Sequence, residues 1–200
     1  MRIPVAVMAA TLALGLVPGA SVVAETASGG RETSADAQPA NRADELDSLF
    51  KTLQTARDEA ARAAEDAILK LWLESGSATV DLLMDWTLKA MEDKNYPLAL
   101  DFLDRVVTLA PGYAEGWNKR ATVFYLTDDY GKSIADIERA LAIEPRHFGA
   151  LAGLGTILRE LGDDKRALAA YRQAIAIDPQ MENVRQAIGE LQKDEDGREI

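Results

Sequence analysis

The feature that most constrains this 200-residue chain is a repeat: residue types recur at an offset of 34 between the stretches Trp117–Pro145 and Leu151–Pro179. Aligned, they pair Trp117 with Leu151, Ala121 with Gly155, Phe124 with Leu158, Ser133 with Ala167, Ile137 with Tyr171, Ala140 with Ala174 and Pro145 with Pro179. The same step back from Pro145 reaches Pro111 and reveals a weaker third copy in Leu83, Trp86, Thr87, Ala90, Tyr96, Ala99, Leu103, Val106 and Pro111. Units of this kind bury their apolar faces only by stacking on one another, and about three are needed for stability.

Within each copy the large residues fall three or four apart, which places them on one stripe of a helix. Ala121 and Gly155 are small where a second helix must cross closely, and Ala140 and Ala174 answer from that helix. An antiparallel helix pair follows. Thr127–Tyr130 and Gly162–Asp164 are polar stretches suited to a tight turn and an N-cap. Pro145 and Pro179 close each pair, so that Glu144 and Asp178 leave the helix. The expected fold is all-α: a helical solenoid of three helix-turn-helix repeats over 80–113, 114–147 and 148–181.

The flanks read differently. Arg2, the apolar run Val5–Val17, the helix-breaking Pro18-Gly19 and the small residues to Ala24 read as a signal peptide over 1–24, cleaved after Ala24. The run is shorter than the roughly 20 residues that span a bilayer. A periplasmic protein with no stable membrane anchor after cleavage is expected. Residues 25–43 lack apolar periodicity and are expected to be a disordered leader. Leu46, Leu49, Phe50 and Leu53, then Ala61, Ala64, Ile68, Leu71 and Trp72, mark a helical capping pair over 44–76 that should cover the open face of the first repeat. Gly76 should end it, with Ser77 or Thr79 capping the next helix. Val184, Ile188 and Leu191 make a capping helix over 182–193, and 194–200 is expected to be a frayed charged tail.

The net charge of −11, made one unit more negative by loss of Arg2, opposes phosphate-rich partners, so nucleic acid and anionic membrane are poor candidates and neither is expected as a ligand. With no cysteine, disulfides and thiol chemistry are absent. His147 is the only histidine and has no partners for a zinc site, and neither Ser48 nor Ser133 has a histidine placed to activate it. The pairs Glu92-Asp93, Asp128-Asp129 and Asp163-Asp164 recur at the turn within each repeat, which favours helix capping over calcium binding. Gly153-Leu154-Gly155 opens no nucleotide-binding pattern. No catalytic residue, metal or cofactor is expected. Trp117 is read as a core residue whose loss should cost about 3–5 kcal/mol.

The 34-residue pattern resembles the tetratricopeptide repeat. The last copy matches at Leu151, Leu154, Gly155, Leu158, Ala167, Tyr171, Ala174 and Pro179, whereas the middle copy departs at Arg120, where an aliphatic residue is usual. The resemblance implies a partner-binding groove lined by the first helix of each repeat. Its residues would be Asp81, Met84, Leu88, Met91 and Glu92, then Glu115, Asn118, Thr122, Tyr125 and Leu126, then Gly149, Ala152, Thr156, Arg159 and Glu160. Met84, Leu88 and Met91 would form an adaptable apolar patch, Asn118 would bond a peptide backbone, and Tyr125 would offer a ring with a polar tip. Only Asn118 and Arg159 approach the family's carboxylate clamp. The chain also resembles small exported members linked to cell-envelope integrity in alphaproteobacteria, through Ser77–Leu83 and Trp117–Ala121. A non-enzymatic adaptor or scaffold for protein or peptide partners is implied. The alternatives are a chaperone for exported client segments and a self-associating scaffold, a homo-oligomer.

Overall fold

A computed structural model describes residues 37–198, and among these residues the regular structure is helical throughout. The expected signal peptide over 1–24, its expected cleavage point and the expected leader residues 25–36 lie outside the described residues. The helices are α1 (Ala37–Thr55), α2 (Asp58–Leu73), α3 (Ala78–Glu92), α4 (Tyr96–Leu109), α5 (Ala114–Leu126), α6 (Tyr130–Ile143), α7 (Phe148–Glu160), α8 (Asp164–Ile177) and α9 (Glu182–Arg198). Two boundaries differ from expectation. Residues 37–43, assigned to the leader, form the start of α1, where the Arg42 guanidinium donates to the carbonyls of Leu71 and Glu74 at the end of α2. Helix α9 runs on to Arg198 instead of stopping at 193.

The repeats are the pairs α3–α4, α5–α6 and α7–α8, each stacked on the next, with α9 on α8. Their internal turns are identical in plan. Lys94, Asp128 and Gly162 occupy the same place at the offset of 34, and all have positive φ (55°, 59° and 76°). Each turn closes with a bond from the next residue's N–H back to the helix: Asn95 to Ala90, Asp129 to Phe124, Asp163 to Leu158, all 2.8 Å. That is the hydrogen bonding of a Schellman end, which favours glycine at the left-handed position. Asn95, Asp129 and Asp163 then cap the following helix by accepting from the N–H of Leu98, Lys132 and Arg166. Of the paired acids, Asp128-Asp129 supplies a turn residue and an N-cap, and Asp163-Asp164 an N-cap and the first residue of α8, whereas Glu92 and Asp93 close α3 and pair with Lys89 and leave the capping of α4 to Asn95.

Packing inside a pair follows from the small residues. A Cβ on Gly155 would stand 2.5 Å from the Tyr171 ring, so the two helices approach there at a distance only glycine permits. In the middle pair Ser133 is fully buried and its hydroxyl donates to the Ala121 carbonyl at 2.7 Å. Arg120 takes the place of an aliphatic residue by a polar clasp. Its Nε and Nη2 donate to Asp136 on α6 at 2.6 and 2.8 Å, and Nη1 donates to Asp104 on α4 at 2.8 Å. Trp117 corrects its expectation. It is only partly buried, lying between the Arg120 and Arg139 guanidinium groups at 4.9 and 5.6 Å, with its indole N–H on the Pro111 carbonyl.

The N-terminal pair also departs from its expected place. α1–α2 does not cap the open face of the first repeat; it lies along the connections between repeats, with α2 against α5 and α1 against α8. The cause is aromatic. Trp72 stacks on His147 with ring centres 4.2 Å apart and planes 15° from parallel, and meets Phe148 at 5.1 Å. Phe50 lies under the Arg146 guanidinium, which also pairs with Asp47 at 2.5 Å. Ile177 and Met181 complete this cluster. Between the pair and the repeats remains a cavity of about 360 Å³ bordered by Arg42, Leu46, Trp72, Tyr113 and Glu115.

Candidate binding groove

Helices α3, α5 and α7 are the first helices of their pairs, and α5 and α7 touch each other directly. Their common side is the groove that the sequence predicts, and its residues divide into three groups.

In the first repeat the expected apolar patch is incomplete. Met84 is 2% exposed and packs in the core with Val80, Leu103 and Val123, so it is not available to a ligand. Met91 is partly buried on the same cluster, and Leu88 remains exposed. Asp81 accepts from the backbone N–H and hydroxyl of Ser75 at 2.8 and 2.6 Å, which ties down the α2–α3 connection. Glu92 is exposed and pairs with Lys89.

In the second repeat Glu115 is buried. Its carboxylate accepts from His147 Nε2 at 2.8 Å, from Asn118 Nδ2 at 3.0 Å and from Lys119 at 2.8 Å. Burial opposes its charge, but the His147 hydrogen bond and the Lys119 ammonium outweigh burial and hold its pKa down to about 2. His147 Nδ1 accepts from the Ala150 N–H at 3.2 Å, an N-cap of α7, which leaves Nε2 as the protonated nitrogen. His147, read from sequence as a bland turn residue, is therefore a buried fastening of two repeats and Trp72. Its 34-residue counterpart Tyr113 does the same for the N-terminal pair, donating its hydroxyl to the Leu73 carbonyl at 2.9 Å.

Between α5 and α7 the groove opens. Asn118, Thr122, Tyr125, Gly149, Gly153 and Thr156 surround an indentation of about 140 Å³ floored by Ala121, Ile137 and Ile157. Gly153 was not foreseen as part of it; the signal lay in the two glycines four apart on the groove side of α7. The hydroxyls of Thr122 and Thr156 return to the carbonyls of Asn118 and Ala152, so each turns its methyl-bearing side chain along the helix. Tyr171 donates its hydroxyl to Thr156 Oγ1 from below at 3.1 Å.

At the far end Glu160 accepts from both Tyr125 and Tyr130 at 2.6 Å. The bond to Glu160 pushes each tyrosine up to about 12, and the same pair of hydroxyls lowers the Glu160 carboxyl. Tyr130 is a groove residue that sequence reasoning had placed only in a turn. Arg159 donates to Glu190 on α9 at 2.9 Å, and Leu126 stays exposed at the rim.

Among the described residues no cluster of three or more carboxylate, histidine or cysteine groups could hold a metal ion. No described helix is long and apolar enough to cross a membrane.

Residues 112–180 match the family model described as tetratricopeptide repeat. A TPR repeat-containing protein of Rhizobium etli is 46% identical over 149 residues, which are 74% of this chain and 72% of that protein. The chain belongs to the tetratricopeptide-repeat family. Among solved structures, the Sgt2 TPR domain of Aspergillus fumigatus superposes with a TM-score of 0.58 at 21% identity, covering 62% of this chain and 83% of that one. The first TPR domain of Spaghetti (RPAP3), bound to the HSP90 peptide SRMEEVD, gives 0.55 at 15% identity, covering 57% and 90%. At such identities these tetratricopeptide-repeat structures speak for the fold alone. They agree with the observed stack of helix pairs, and TPR domains as a class mediate protein–protein contacts.

Proposed function

We propose that this protein is a non-enzymatic periplasmic adaptor that holds a segment of a partner protein in the groove between α5 and α7 and serves in upkeep of the cell envelope. The observation that carries the reading is the indentation of about 140 Å³ with an apolar floor and polar rim. It has room for one short aliphatic side chain, while Asn118 and Tyr125 on its rim can bond the backbone beside that side chain.

The chemistry of the groove restricts the ligand. Glu92 and Glu160 are exposed acids, Asp81 adds a half-buried one while Glu115 is buried on His147 and Lys119, and Arg159, the one cation among the groove residues, is engaged by Glu190. A peptide with an acidic end, like that bound by the Spaghetti domain, would meet like charge here. The ligand is therefore a neutral or basic segment with small aliphatic residues.

A photoreactive residue in place of Tyr125, followed by identification of captured proteins in cells, tests this. One dominant envelope protein supports the adaptor. A broad set of exported proteins favours a chaperone for client segments, and capture of the chain alone points to a self-associating scaffold.

A further inference from the structure

The end of the stack formed by α3 and α4 is uncovered. In the second repeat Arg120 reaches back to Asp104 on the preceding helix, and in the third Leu154 packs beside Ile137 and Leu141 of α6. The residue at that place in the first repeat is Trp86, and α1–α2 has gone to the connection edge instead of covering it. Trp86 is 49% exposed, with the Phe102 ring beside it at 5.6 Å. Leu82 and Trp86 on α3, and Leu98, Phe102 and Leu109 on α4, form two adjacent stripes at helical spacing, all of them exposed except the half-buried Phe102. A cavity of about 440 Å³ opens between Trp86, Leu98 and Phe102.

We infer that this face is where a second copy of the chain docks, in a closed two-fold contact. Three observations choose that occupant. First, charge: the chain as a whole is strongly acidic and repels its copies, but on and beside these stripes the acids Asp85, Glu92, Asp93, Asp101 and Asp104 are interleaved with Lys89, Lys94 and Arg105. A face that carries both signs can set each against the other across a two-fold axis. Second, the opposite end is sealed by α9, whose outward residues Glu182, Asn183, Arg185, Gln186 and Lys193 are polar. A head-to-tail filament thus finds no apolar surface at the α9 end, which favours a contact that joins like ends and closes at two. Third, with residues 1–24 removed, as the periplasmic reading proposed above requires, the remaining lead into α1, residues 25–36, contains no large apolar side chain that could cover the face from within the chain.

Sedimentation velocity on the full chain, from about 1 to about 100 µM, tests the inference. The parent should be dimeric at the upper end. Trp86→Asp and, separately, Leu98→Asp should each weaken the dimer by at least about 30-fold, the effect of losing one central anchor. Leu161→Asp, which changes an exposed leucine at the distant turn of the third repeat, should leave the dimer unchanged. Circular dichroism on each variant confirms that helix content is kept. A parent that stays monomeric throughout overturns the inference and gives the face to a different protein. So does a dimer indifferent to both aspartates, or an assembly that grows beyond two.

Discussion

His147 and Glu115, 32 residues apart, meet at 2.8 Å between Nε2 and a carboxylate oxygen, both almost completely buried. The contact joins the start of α5 to the start of α7. Trp72 lies flat on the histidine, so the same pair anchors the N-terminal helices.

Acid should undo this fastening. Glu115 is held at about 2 against an ordinary value of 4.5. A carboxyl lowered in the folded state stabilises fully above its unfolded pKa and loses that contribution as pH falls through the folded one. The urea midpoint of the parent should therefore drop between about pH 4.5 and pH 2. Glu115→Gln should be less stable at pH 7 by about 1–3 kcal/mol and flatter across that window. Equal slopes in the two proteins would disprove the assignment.

Two glycines on α7 should respond oppositely. Gly155→Ala places a methyl group 2.5 Å from the Tyr171 ring and should cost about 1–3 kcal/mol, despite alanine's better helix propensity. At Gly153 the nearest atom would be Ile137 Cδ1 at 3.8 Å, ordinary contact, so Gly153→Ala should keep or raise the melting temperature. It also narrows the groove indentation. Crosslinking from position 125 in the Gly153→Ala background should fall if a ligand side chain enters there.

The turn of the first repeat carries strain that the third avoids. Lys94 sits at φ 55° where Gly162 sits at 76°. Lys94→Gly should stabilise by about 0.5–1 kcal/mol, the relief of the left-handed position less glycine's greater freedom when unfolded. Gly162→Lys should do the reverse. Paired denaturant midpoints decide the matter, and a destabilised Lys94→Gly would refute it.

Trp72, and not Trp117 as the sequence suggests, should be the costly tryptophan to lose. Trp72→Ala removes a buried ring from the Phe50–Phe148 cluster and should cost about 3–5 kcal/mol, with amide exchange quickening in α1 and α2 first. Trp117→Ala should cost only about 1–2 kcal/mol, because its ring is partly solvated and held by two arginines. Comparable losses at the two sites would contradict this ranking.

Ser77 opens α3 without a side-chain cap bond, and Asn95 and His147 cap α4 and α7 unforeseen, but the repeat number, the helix pairing and the turns with Asp129 and Asp163 as caps were legible in the chain. They depend on contacts within 34 residues, where apolar spacing, one small residue and one proline each have a single geometrical meaning. The groove was half legible. Asn118, Thr122, Tyr125 and Thr156 line it as their place in the repeat implies, but Met84 sinks into the core, Glu115 is taken by His147, and Tyr130 arrives from another helix. Side chains at equivalent places differ in fate because their neighbours across the stack differ, and those neighbours lie one or two repeats away.

Sequence alone determined that three helix pairs must stack in order, since each pair has one apolar face and a matching partner 34 residues on. Tertiary structure alone decided where the non-repeating pair would go. α1 and α2 carry an apolar stripe that has no register with the repeat, so its place was set by the best available surface: the aromatic and aliphatic side chains at the connections, His147, Phe148, Ile177 and Met181. That choice left Trp86 uncovered at the other edge, a consequence no local pattern contains.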